Sequence, residues 1–203
     1  MKKWMVVLLV LSLCVFGTSF AFAQNETASA GGVGTELVIA DFDTGDKPNN
    51  IGGDFGAWDK DPNDTTQGCK MSFEENDALG DSLGYAVRFD YDVDSSNPAY
   101  NGFWMKLNGL DASAYNTINL YFKGEGEFTK RVKIEVKDST NKPSSYILSG
   151  ITDQWQKFSI PFEKFSQIQD WKGLSEVVVV FDDINTNPKT GSILLDQVTV
   201  SAE

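Results

Sequence analysis

Apolar and polar residues alternate over most of this chain. In the stretch 117–124, TINLYFKG, Ile118, Leu120 and Phe122 fall in step, and Asn119, Tyr121 and Lys123 fill the places between them. A period of two puts neighbours on opposite faces of a β-strand, so that one face is buried and the other open. Candidate strands of this kind recur at 36–42, 69–75, 85–93, 102–107, 131–137, 145–151, 154–162, 175–182 and 192–200. Segments rich in glycine, proline, asparagine and aspartate separate them, notably 43–56, 92–102, 137–145 and 184–191. Short strands punctuated by such turns predict an all-β fold, an antiparallel β-sandwich in a single domain. Helical spacing is nearly absent; 162–173, FEKFSQIQDWKG, reads as a loop with one turn.

Sorting the strands by face separates two sets. Val87 and Phe89, Phe103 and Met105, Val132 and Ile134, Phe158 and Ile160 form an apolar set that predicts the core. The opposite set holds Arg88, Asp90, Trp104, Lys106, Asn119, Tyr121, Lys133, Glu135 and Trp155. Placed on one shared sheet face, these combine flat rings with charged groups. Rings of this kind stack on the C–H faces of a pyranose, and the charged groups hold its hydroxyls. Trp104 and Tyr121 are the expected stacking platforms, with Trp155 third, and Arg88, Lys133 and Glu135 are the expected hydroxyl partners. For each ring alone, the plainer alternative is a scattered surface position or burial beneath a covering loop. Trp58 and Trp171 fall in loops, where either would rim a groove or plug an edge of the sandwich; plugging is the first expectation for both.

The N-terminal residues change the picture of where the chain works. Lys2 and Lys3 precede a short apolar run, and Ala21-Phe22-Ala23 supplies a small-x-small cleavage pattern. Residues 1–23 therefore read as a bacterial-type signal peptide, 24–35 as a flexible leader and 36–203 as the sandwich. The apolar run is too short for a membrane span, so the expected location is secreted or periplasmic. Cys14 departs with the signal, which leaves Cys69 without a partner and excludes a disulfide framework.

Charge and composition exclude more than they propose. With 29 acidic against 17 basic residues, the net charge of −12 argues against a nucleic-acid partner, which requires a basic patch. Histidine is absent, which removes Ser-His-Asp and Cys-His catalysis and His-ligated zinc. The stretch from Asp59 begins like an EF-hand loop, but Asp64 stands where that loop needs glycine and Lys70 where it needs glutamate. Glu75 and Asp77 start an acid run that Gly80 leaves incomplete.

Several stretches together resemble a known family. LVIADFD, IGGDFGAW, YNGFWMKLNGLDASAYNTINLYFKGEGE, QWQKFSIPFEKF and GSILLDQVTV occur in that order between Leu37 and Val200. They resemble the galactose-binding-like β-sandwiches, in particular carbohydrate-binding module family 11 and the related complex I assembly-factor domain. The resemblance implies a jelly-roll of two antiparallel sheets whose concave face binds polysaccharide. It also implies a structural calcium ion where the first and last strands meet, with Asp43 and Asp196 as matching ligands and Asp41 less certain. A hard cation at that point would pin the chain ends together. The alternative for Asp196 is that it accepts hydrogen bonds from loop backbone. The expected function is a secreted, non-catalytic module recognising a polysaccharide or oligosaccharide. Two alternatives remain open: an envelope protein that docks a protein partner, and a glycan-active enzyme working through a carboxylate pair.

Overall fold

The computed structural model describes residues 35–75, 79 and 84–202. The expected signal peptide, and the leader as far as residue 34, lie outside the described residues. Eleven strands follow one another: β1 (Glu36–Ala40), β2 (Phe55–Asp59), β3 (Gly68–Glu75), β4 (Tyr85–Asp92), β5 (Tyr100–Leu110) and β6 (Thr117–Glu125), then β7 (Arg131–Lys137), β8 (Pro143–Ser149), β9 (Gln156–Pro161), β10 (Leu174–Asp182) and β11 (Thr190–Ser201). A single turn of 3-10 helix, Phe162–Lys164, is the whole of what the weak helical spacing produces. Each predicted strand is present. β2 is the addition, and it starts in the last two residues of the glycine-rich run, 43–56, that reads as a turn.

The strands form two antiparallel sheets. One is ordered β3-β4-β11-β6-β9, with β1 also paired to β11; the other is ordered β2-β5-β10-β7-β8. A long β11 serves both β4 and β1 by pairing residues 190–195 with the former and 198–201 with the latter. The register shift after Asp196 and the positive φ of Gln197 (42°) mark the bulge where it changes neighbour. The sandwich architecture is therefore the expected one.

The inward faces meet in a core rich in phenylalanine. Phe89 of one sheet lies 4.9 Å from Phe103 of the other, and Tyr91 stacks on Phe181 at 4.4 Å. Full burial of each such ring contributes about 1.5–3 kcal/mol, and each ring pair about 0.5–1.5 kcal/mol more. Trp171 stacks on Phe162 at 3.6 Å and packs against this core, so it plugs the sandwich as expected. β10 differs from its neighbours. Its residues Val177 and Val179 face the core, while Val178 and Val180, on the outer face, are buried as well. The central strand of the five-stranded sheet is thus covered on both sides, and what covers its outer side defines the candidate site.

Candidate functional site

Strand register arranges the outer face of the five-stranded sheet in rows. One row runs Gly56, Trp104, Val178, Glu135, Ser145 across all five strands. On one side of it lies Lys106, Glu176, Lys137, Pro143, and on the other Trp58, Gly102, Val180, Lys133, Ile147. Neighbouring strands are about 4.8 Å apart, so Trp104 and Glu135 face each other over Val178 across ~10 Å of sheet. Trp58, Trp104, Lys106, Glu135, Lys137, Glu176 and Val178 together line an open groove of about 420 Å³. That volume falls within the usual range of small-molecule sites, about 300–1,000 Å³.

Each wall has its own physical basis. Gly56 has no side chain, and a Cβ there would meet the Trp104 ring at 3.4 Å, so the indole lies flat across that position. Lys106 and Lys47 bring their ammonium groups to 5.5 and 5.8 Å from the ring centroid, and Lys47 is itself tied to Asp54 at 2.9 Å. Glu176 is buried and receives both Lys106 and Lys137 at 2.5 Å. Burial alone would raise the Glu176 pKa, but hydrogen bonds and charge from the two lysines outweigh it and hold the carboxyl below its ordinary value. Lys133 lies 3.4 Å from Asp182 and 3.8 Å from Glu135. Lys47, Lys106, Lys133 and Lys137 are therefore each matched to a carboxylate. Glu135 differs, because its only partner among the described residues is that distant ammonium group. Its carboxylate lone pairs are largely unused, at the edge of an apolar floor.

The expected site residues do not share one face. Trp104, Lys133 and Glu135 stand on the five-stranded sheet, whereas Arg88 (β4) and Tyr121 (β6) stand on the outer face of the other sheet. Trp155 lies just ahead of β9, which also belongs to that second sheet, and its indole nitrogen is buried. The reason is topological. Alternation separates inside from outside, but long-range pairing decides to which sheet a strand belongs. Arg88 is also engaged: its guanidinium reaches Asp90 at 2.9 Å, Ser192 at 2.8 Å, and Glu125. Asn119 faces outward, yet it is fully buried in a cluster with Ser159, Thr199 and Ser201. Trp58, expected to plug an edge, instead lines the groove. Its strand was hidden among glycines, and the only sequence signal for it was the pair Phe55 and Ala57 alternating with Trp58.

Asp196 lies on the second sheet, in the bulge of β11. Its two oxygens accept hydrogen bonds from the backbone N–H groups of Leu79 and Gln197 at 2.7 and 2.6 Å. Burial, with smaller contributions from the nearby charges of Asp43 and Asp41, pushes its pKa up to about 6. The Asp43 pKa is raised too, by burial and by Asp41. Among the described residues, no three His, Cys, Asp or Glu side chains converge to hold a metal ion. Calcium takes about six to eight oxygens, backbone carbonyls and water among them, so Asp43 and Asp196 would supply only part of its shell.

The raised Asp196 pKa has a consequence for stability. The fold disfavours the ionised form, so stability is full below the unfolded pKa and falls as pH rises through the folded value. Unfolding temperatures of the wild type should therefore decline between about pH 4 and pH 7, and Asp196→Asn should flatten that decline. Equal slopes in the two proteins, measured by thermal denaturation in the presence of a chelator, would remove Asp196 as the cause.

Comparison with known proteins bears on the fold. No protein-family profile matches the sequence, and no curated protein does. Solved structures do match. The family 11 carbohydrate-binding module from Clostridium thermocellum, in complex with a β-1,3-1,4-mixed-linked tetrasaccharide, superposes with a TM-score of 0.61 at 15% identity, over 82% of this chain and 95% of that one. The family 30 module of a cellulosomal cellulase from the same organism gives 0.58 at 16% identity, over 82% and 98%. A family 29 module complexed with mannohexaose gives 0.51 at 18%, over 82% and 91%. The fold is that of these carbohydrate-binding β-sandwiches. The likeness to the complex I assembly-factor domain gains nothing from them.

Proposed function

We propose that the chain is a non-catalytic carbohydrate-binding module and that its ligand lies in the groove between Trp104 and Glu135. One observation carries the reading: an indole ring and a carboxylate with largely unused lone pairs stand on either side of a buried valine floor, about 10 Å apart at the backbone. A pyranose laid on the open face of the indole would turn a C–H face to it, and the ligand would reach over Val178 to offer hydroxyls to Glu135. Trp58 extends the apolar wall, and Lys133, Lys106 and Lys137 border the ring of hydroxyls. Sugar binding in the structural neighbours supports the same reading. Export through the expected signal segment would deliver such a module to the polysaccharides it recognises.

The groove favours binding over hydrolysis. A carboxylate pair that cleaves glycosides needs one member kept protonated as a general acid. Glu176, the second carboxylate of the groove, is held in the opposite state by Lys106 and Lys137.

The test is affinity electrophoresis and calorimetry over soluble β-glucans and mannans. The wild type is expected to bind at least one of them. Glu135→Ala should weaken that binding about tenfold, the size of one lost charge-assisted hydrogen-bond pair. Its melting temperature should hold, because among the described residues the Glu135 side chain accepts no hydrogen bond and meets only the Lys133 ammonium, at 3.8 Å. Failure of every glycan to retard the wild type would reject the proposal.

A further inference from the structure

The aromatic surface does not end at the groove. Tyr100, at the start of β5, presents an exposed ring (42% accessible), and it does not line the groove. It meets Trp58 edge-on, with ring centroids 5.8 Å apart and planes at 61°. The ammonium of Lys60 lies 5.1 Å from its centroid and is anchored by a 3.0 Å hydrogen bond to the Pro98 carbonyl. Register places Tyr100 beside Asp182, in the row beyond Trp58 and Val180. Trp104, Trp58 and Tyr100 thus occupy three successive rows along β5 and β2. From Trp104 to Tyr100 the strand advances four residues, about 13–14 Å.

The end of this strip is built firmly. Asp182 accepts hydrogen bonds from the backbone N–H groups of Ile184 and Asn185 at 3.0 and 2.6 Å, fixing the turn after β10. The Asp183 N–H donates to the Ala99 carbonyl at 3.0 Å and the Ala99 N–H to the Asp183 carboxylate at 3.3 Å, which fastens that turn beside Tyr100. Ile184, 87% accessible, stands on it. A large exposed ring held by neighbours, and continuous with two indoles, is a surface that a ligand can cover at little entropic cost.

We infer that Tyr100 is an outer stacking position for the same ligand and sets how the module distinguishes long glycan chains from short ones. The inference rests on the groove reading above. A short ligand laid on the indole and reaching over Val178 engages Trp104 and Glu135 alone. A chain continuing along the strand direction passes Trp58 and reaches Tyr100 several rings later. The contact assigned to Tyr100 is the face of its ring, which is exposed beside the Trp58 indole.

The experiment compares a disaccharide and a hexasaccharide of the β-glucan or mannan that the wild type retains, by calorimetry. Tyr100→Ala is expected to weaken the hexasaccharide about tenfold and to leave the disaccharide unchanged, whereas Tyr100→Phe should match the wild type for both. Trp104→Ala should weaken both ligands. If Tyr100→Ala affects the two ligands equally or neither, while Trp104→Ala still weakens both, the outer position is overturned and the groove stands. Equal losses in Tyr100→Phe and Tyr100→Ala would also overturn it, since the ring face would not be the contact. Unchanged binding in Trp104→Ala would overturn the groove and the outer position together.

Discussion

Trp104→Ala is expected to reduce glycan affinity about thirtyfold, a loss of about 2 kcal/mol of the kind a central aromatic contact carries. A shallow, hydrated groove starts from weak binding; a millimolar dissociation constant amounts to about 4 kcal/mol. The loss would therefore take about half of the total and leave little retention on any column or gel. The folded state should notice much less. Trp104 lies on the outer face, over Gly56 and next to Lys47 and Lys106, and the core side chains Phe103 and Met105 on either side of it face the other way. Trp104→Phe should recover part of the affinity, because a smaller ring still offers a flat face. Calorimetry with the retained glycan measures the first effect and thermal denaturation the second. Affinity within twofold of the wild type in Trp104→Ala would mean that the indole is not a contact.

Local pattern was enough for the strands and for their inward faces. Phe89, Phe103, Ile134 and Phe122 all fall where alternation puts them, because a half-buried strand leaves a period of two in its own sequence. β2 escaped because Phe55–Asp59 is five residues long and sits in a run whose glycines serve other ends. At Gly53, for instance, a Cβ would lie 2.0 Å from the Lys106 carbonyl oxygen, so the residue permits a close backbone approach. Short strands next to such residues carry little periodicity of their own. They are held by the partner strand, here β5.

The candidate site was legible only in part, for a different reason. Trp104 and Glu135 come together because β5 and β7 flank β10, and Arg88 and Tyr121 go elsewhere because β4 and β6 flank β11. Those pairings join residues far apart in sequence, and nothing in a strand's own alternation encodes them. The four valines at 177–180 did hold a clue. An unbroken apolar run bounded by turns fits a strand buried on both faces, so β10 had to be central and its outer side covered. The covering residues are the walls of the groove. Tyr100 was masked more completely, since it follows a turn built from serine, asparagine and proline.

Gly102→Ala is expected to destabilise the protein by at least about 4 kcal/mol, among the largest effects a single substitution produces. A Cβ at Gly102 would lie 2.0 Å from the Val179 carbonyl oxygen and 3.0 Å from its carbon, with φ at +155°. Those atoms belong to the backbone of β10, which β5 and β7 grip from both sides, so neither can give way cheaply. Native stability is only about 5–15 kcal/mol in total, and a loss of this size should lower the melting temperature by about 8–16 °C. Gly109→Ala is the control. It also has a positive φ (75°), but nothing lies within 4 Å of the added carbon, so its cost should be confined to about 1 kcal/mol of backbone strain. Gly102 pairs with both Trp58 and Val180, so the same substitution pries β5 from β10 between the groove and Tyr100. Glycan affinity should fall with stability in Gly102→Ala and remain unchanged in Gly109→Ala. A Gly102→Ala protein melting within about 3 °C of the wild type, the shift expected for roughly 1 kcal/mol, would show that β10 yields at this point. The groove floor would then be softer than the register implies.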